Sequence, residues 1–189
     1  MGAGSVAPMT ERYAALLRGI MPSNPNMRNE KLRGVLEGLG YERVASILAS
    51  GNLTFATKST DPAVLEDRIQ QALSAELGIP GGTLIRSYPE LRDLLDRDPF
   101  DGRVHERGTY LTVTFFKNDV IEADLSEFAD DPLTKVIGYD HPTRAFLTVL
   151  DNSTGVTPPF MGRLEKIYGK DITTRTWLTV QRVVKKMES

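Results

Sequence analysis

The chain has no cysteine and only two histidines, His105 and His141. Disulfides, thiolate metal sites and cysteine nucleophiles are therefore excluded, and two histidines cannot build a three-histidine metal centre. No metal and no cofactor is expected. A cysteine-free chain also fits a cytoplasmic protein. Long hydrophobic runs are missing too. No stretch approaches the roughly 18 apolar residues of a membrane-spanning helix, so no membrane contact is expected. The usual catalytic signatures are absent: no G-x-S-x-G elbow, S-x-x-K, P-loop, G-x-G-x-x-G or H-E-x-x-H occurs. No catalytic residue can be named. The first eight residues, MGAGSVAP, lack the basic and apolar regions of a signal peptide. Residues 1–12 are expected to form a flexible N-terminal extension.

What is present is unevenly charged. The net charge is −2, which argues against broad, non-specific binding to nucleic acid. Residues 88–131 hold 12 acidic against 5 basic residues, whereas residues 163–189 hold 7 basic against 3 acidic. The basic C-terminal segment leaves a local anionic contact open, beside the plainer reading of a solvated helix face.

Hydrophobic periodicity divides the chain into an order of elements that occurs twice. Tyr13 to Ile20 is short and apolar and predicts a buried first strand. Leu32, Val35, Leu36 and Leu39 share one helical face, and Gly40 is a plausible stop. Two strand-like runs within 44–57 flank Ser50-Gly51-Asn52, which has turn chemistry. Asp61-Pro62 opens a helix with Leu65, Ile69, Leu73 and Leu77 inward. A strand at 83–87 leads into a short helix whose start carries capping-box spacing, Ser87 to Glu90. The charged, turn-rich segment 96–108 reads as a linker. Beyond it come an alternating strand at 109–117 and a weaker helix with Ile121, Leu125 and Phe128. Strands at 135–140 and 144–150 follow, then a helix opened by Thr157-Pro158 with Phe160, Leu164 and Ile167 inward. A short strand at 171–175 precedes a final helix with Trp177, Val180, Val184 and Met187 on its apolar face.

The βαββαβ order is the ferredoxin-like plan. The predicted fold is α+β: two tandem ferredoxin-like repeats, residues 13–95 and 109–189, each with an extra C-terminal helix, and strand order 4-1-3-2 in the first. In that plan Ser50, Asn52 and Arg86 are expected at one sheet edge, with Arg18 far from them.

YAALLRGI (13–20), GLGYERVASILASGNLTF (38–55), the helix beginning LEDRIQQALSAELGI with TLIRS (65–87), and TTRTWLTVQRV (173–183) resemble the bacterial domain of unknown function 1697 family. The resemblance covers most of the chain and implies a two-repeat α+β fold. Two stretches depart from the family pattern. The loop after ALLRGI, usually glycine-rich with a basic residue, is MPSNPNMR (21–28), and Thr176 stands where the C-terminal motif usually has Asn.

Candidate ligand-binding residues follow from chemistry. Arg18-Gly19 ends a buried strand, where a guanidinium must meet an anion or a structural partner. Ser50, Gly51 and Asn52 offer backbone N–H groups and an amide, or simply make a turn. Arg175 and Trp177 stand at the start of the last helix, where an anion could gather. The alternatives there are a pair between Arg175 and a carboxylate of 88–131, and core packing for Trp177. The expected activity is that of a non-enzymatic binding module for an anionic ligand (a nucleotide or nucleic acid) or a protein partner. The alternative is an enzyme acting on a small anionic metabolite, with Arg18 or Arg175 as anchor. No RNP1-like run supports RNA binding through the sheet; TVTFFKN (112–118) lacks its glycines.

Overall fold

Among the described residues, eight strands form two four-stranded antiparallel sheets with the same internal order. The computed structural model describes residue 4 and residues 9–120, 126–156 and 158–189. In the first sheet β2 (Glu42–Ile47), β3 (Asn52–Lys58), β1 (Thr10–Leu17) and β4 (Thr83–Ser87) lie side by side in that order. The second sheet runs β6 (Thr134–Asp140), β7 (Ala145–Leu150), β5 (Tyr110–Phe116), β8 (Ile172–Thr176). Five α-helices are also present among the described residues: α1 (Asn29–Gly38), α2 (Pro62–Leu77), α3 (Tyr88–Asp96), α4 (Phe160–Tyr168) and α5 (Trp177–Glu188). Among the described residues, no helix is long and apolar enough to cross a membrane.

Side-chain alternation sorts each sheet into two faces. Tyr13, Ala15, Leu17 and Phe55 point to one side of the first sheet and are sealed by Leu32 and Leu36 of α1 and by Leu65, Ile69 and Leu73 of α2. Phe116, Phe146 and Leu150 pack likewise with Phe160 and Leu164 of α4. The opposite faces meet in a shared core. There Ala14, Leu16 and Leu84 join Leu111, Val113 and Phe115, with Leu91 and Leu94 of α3 and Trp177, Val180 and Val184 of α5. Helix α5 follows the second sheet in sequence but packs on β1, β2 and β3 of the first.

Local chemistry sets the helix ends. The Asp61 carboxylate accepts from the Ala63 N–H, Pro62 occupies the first turn, and Gly78 closes α2 at φ 66°. Both reciprocal bonds of the Ser87/Glu90 capping box are made at α3, which satisfies two N–H groups the helix cannot.

Four expectations need correction. Strand β1 begins at Thr10, because Thr10, Glu11 and Arg12 pair with Lys58, Thr57 and Ala56 of β3. The expected extension of 1–12 thus loses its last three residues to a strand joined by backbone bonds, which hydropathy does not register. Asn52 is the first residue of β3, not part of the turn. Ile167, expected inward, is on the outside of α4 at 37% exposure. The segment 96–108 is no free tether, since Phe100 is fully buried with its ring 5.1 Å from that of Trp177. Ile121, Leu125 and Thr157 lie outside the described residues.

Leu36 and Leu73 are completely buried. Truncation to Ala should cost about 2–5 kcal/mol each. Urea midpoints of Leu36→Ala and Leu73→Ala that match the parent would show that these faces are misassigned.

Candidate functional site

Antiparallel pairing places the end of β1 beside the start of β3. Leu16 stands opposite Asn52, the Leu17 N–H donates to the Gly51 carbonyl at 2.9 Å, and the Arg18 N–H to that of Gly82 at 2.9 Å. Arg18-Gly19 and the 48–51 turn are therefore neighbours, contrary to the separation expected. Arg86, opposite Ala14, is the residue set apart. Crowding explains two glycines here. A Cβ on Gly51, at φ +81°, would come within 2.6 Å of Ile20, and one on Gly81 within 2.2 Å of the Arg18 carbonyl.

The side chains then close on protein groups. The Asn52 amide donates to the Ile47 carbonyl at 3.1 Å and to Ser50 Oγ at 3.0 Å. Its oxygen accepts from Arg175 Nε at 2.5 Å. Arg175 also donates from Nη2 to the Leu17 carbonyl at 2.7 Å, and from Nη1 to Thr173 Oγ1 at 2.7 Å and the Thr174 carbonyl at 2.9 Å. Every guanidinium nitrogen is engaged, and none of these partners is a carboxylate. The pairing expected with an acidic residue of 88–131 is replaced by an amide and carbonyls of the other sheet's unit. Trp177 is 5% exposed against Phe100, so it offers no ring face to a planar ligand. Arg18 pairs with Glu165 of α4 at 2.5 Å and caps the Lys170 and Ile172 carbonyls at 2.8 and 3.0 Å.

Arg86 repeats this arrangement from the opposite side. It is fully buried and donates to the Thr143 carbonyl at 2.8 Å, to that of Ile85 at 2.8 Å and to that of Phe116. Burial pulls both guanidinium groups down to about 10, with Arg144 adding to the effect at Arg86; both stay charged at neutral pH. A sequence signal was available: RSY at 86–88 and RTW at 175–177 each set an Arg before an N-cap hydroxyl and an aromatic helix start.

An open site lies elsewhere. A cleft of about 230 Å³ is bounded by Arg12 of β1, Arg43 of β2, Thr54 and Ala56 of β3, and Lys186 and Met187 of α5. A shallower groove of about 360 Å³ adjoins it, sharing Lys186 and Ser189 and adding Ser46, Arg182 and Lys185. Arg43 is placed by the backbone: the β2–β3 register shifts between Glu42 and Ala45, and Arg43 sits there at φ 51°. A bulge of this kind re-aims a side chain, and a left-handed non-glycine residue carries strain. Arg12 donates to the Met187 carbonyl, in the last turn of α5, and Arg43 to the backbone oxygen of Ser189 just past it. Lys185 and Lys186 in the last turn also offset the partial negative charge there. Among the described residues, Arg12, Arg43, Arg182, Lys185 and Lys186 form no ion pair with an Asp or Glu side chain, unlike Arg18, Arg92, Arg97, Arg144 and Arg163.

The family described as Protein of unknown function (DUF1697) matches residues 9–136. The chain belongs to that family. No curated protein matches it. The conserved bacterial protein SP0830 from Streptococcus pneumoniae is similar in structure, with a TM-score of 0.71 over 95% of this chain and 99% of that one, at 16% identity. That likeness concerns the fold. Within this DUF1697 chain, Arg12 and Arg43 fall inside the matched span, while Arg175 and α5 lie beyond it.

Because Arg175 ties β8 to Leu17 and Asn52, Arg175→Ala in this DUF1697 protein should lower stability by about 1–3 kcal/mol for each buried acceptor left unsatisfied. A melting temperature unchanged by the substitution would mean that the guanidinium holds nothing together.

Proposed function

We propose that this DUF1697 protein is a non-enzymatic binding module for a phosphate-bearing anionic ligand, seated between Arg12, Arg43 and Lys186. One observation carries the reading: three cations that lack an Asp or Glu partner among the described residues converge on a single cleft. Arg12 spends one bond on the Met187 carbonyl and Arg43 one on the backbone oxygen of Ser189, and a guanidinium has five N–H donors. The remainder suit the oxygens of a phosphate, which guanidinium groups bind in a forked geometry. The strained placement of Arg43 is consistent with a side chain aimed for use.

In this reading Arg18, Gly19, Ser50, Gly51, Asn52, Arg175 and Trp177 form the frame that holds the two sheets in place, and the ligand sits outside them. We also read the two sheets as tandem ferredoxin-like units; their common strand order supports this.

Titration calorimetry with inorganic pyrophosphate tests the site. The doubly substituted Arg43→Ala, Lys186→Ala protein should bind about tenfold or more weakly, since charge-assisted bonds are lost. Its melting temperature should stay within about 2 °C of the parent, as for exposed substitutions. Equal binding by parent and variant would refute the assignment.

A further inference from the structure

The cleft does not end at Arg12 and Arg43. Lys186 and Ser189 line both it and the adjoining groove, so the two are continuous. Arg182, Lys185 and Lys186 are spaced i, i+3 and i+4 on α5, which gathers them on one stripe of the helix. Arg182 and Lys186 are separated by about 6 Å along the axis at the usual helical rise. All three are exposed, and none pairs with an Asp or Glu side chain among the described residues. On the other wall stands β2, an edge strand of its sheet, with Ser46 receiving a hydrogen bond from Arg33 at 2.6 Å. One carboxylate is close enough to matter. Glu188 is held below its ordinary range by hydrogen bonds from Arg92 and Tyr88, with weaker help from the charge of Arg12. Its oxygen accepts from Arg92 and from Tyr88, each at 3.0 Å, so it is already committed away from the groove.

We infer that the ligand is a linear chain of phosphates, which lays one phosphate between Arg12 and Arg43 and runs its neighbours along Arg182 and Lys185. This rests on the function proposed above and extends it from a single anion to a polymer. A lone small anion would need only the enclosed cleft; the open groove adds cations in series with no closing wall. Between those cations stand the small or polar Ala45, Ser46, Thr54 and Ala56, beside the apolar Ile47 and Met187. The run of cations along the groove fits a ligand whose repeating feature is its charge. Single-stranded nucleic acid and linear polyphosphate share that feature. Sequence-independent binding of single strands runs on grooves of this kind.

Fluorescence anisotropy on the full chain separates the possibilities, using labelled single-stranded DNA and RNA of three and twelve nucleotides. Inorganic pyrophosphate, linear polyphosphate and poly-glutamate serve as competitors. The twelve-mer should bind more tightly than the three-mer. Arg182→Ala combined with Lys185→Ala should weaken the twelve-mer about tenfold and reduce its salt slope by about 0.7 per cation removed, while pyrophosphate binding stays unchanged. The stronger of oligonucleotide and polyphosphate identifies the source of the chain. A twelve-mer bound no better than a three-mer, or untouched by the double substitution, overturns the inference. In that event, pyrophosphate binding that still depends on Arg43 and Lys186 keeps the single-anion reading, and its loss removes both. Competition by poly-glutamate equal to that by polyphosphate would also overturn the assignment to phosphate.

Discussion

Two buried arginines whose hydrogen-bond partners are all uncharged hold this protein's sheets together. Arg86 and Arg175 occupy the same place in β4 and β8, opposite Ala14 and Val113 of the central strands. Each sends its guanidinium across to the other unit and is solvated there by backbone carbonyls: Leu17 for one, Phe116 and Thr143 for the other. A charge taken out of water at such a place must be replaced bond for bond. The carbonyls at a strand end and its adjoining turn are free to do so, because they sit where the ladder runs out. Direction is thereby imposed. A guanidinium fork matched to several fixed oxygens tolerates little sliding of one sheet over the other, whereas apolar contact alone is indifferent to small shifts.

The exchange extends to the ion pairs at the same strand ends. Arg18 follows β1 and reaches Glu165 on α4. Lys117 follows β5 and approaches Glu66 on α2 at 4.0 Å. Burial raises the Glu66 carboxyl above its ordinary range, against the Ile85 N–H and the nearby cations. Helix α5 completes the pattern by packing on both sheets, against β5 and β8 of the second and β1, β2 and β3 of the first. The basic cleft is a product of that packing: Arg12 and Arg43 come from strands of the first sheet, Lys186 from a helix that belongs in sequence to the second.

Much of the architecture was legible. Leu65, Ile69 and Leu73 follow a helical period that leaves little choice of face, and Ser87 with Glu90 marks a helix start through bonds that are local in sequence. The resemblance to the DUF1697 family was legible as well. The candidate site was not. Arg12 lies in a segment too polar to read as a strand, and Arg43 acquires its direction from a bulge that depends on the register with β3. Placing Asn52 beside Arg18 required the antiparallel sense of β1 and β3 to be followed to the strand ends. The partner of Asn52, Arg175, is 123 residues away, and no local pattern carries information over that span. The clustered motif residues were recognised, but their chemistry is directed inward.

The shared core has a consequence for how the chain unfolds. Trp177 and Phe100 seal the same core as Leu16 and Leu84, so neither sheet keeps its inner face dry once the other departs. Exposing that face would leave Arg86 and Arg175 without their carbonyls while uncovering apolar side chains to water. The two penalties fall together, and a state with one unit folded alone suffers both. Such coupling merges what could be two foldons into one. Its closing contacts join residues far apart in sequence, which makes them late to form and slow to nucleate. The native state is thus held as one cooperative body, and α5, which carries the basic groove, is anchored in its core through Trp177, Val180 and Val184.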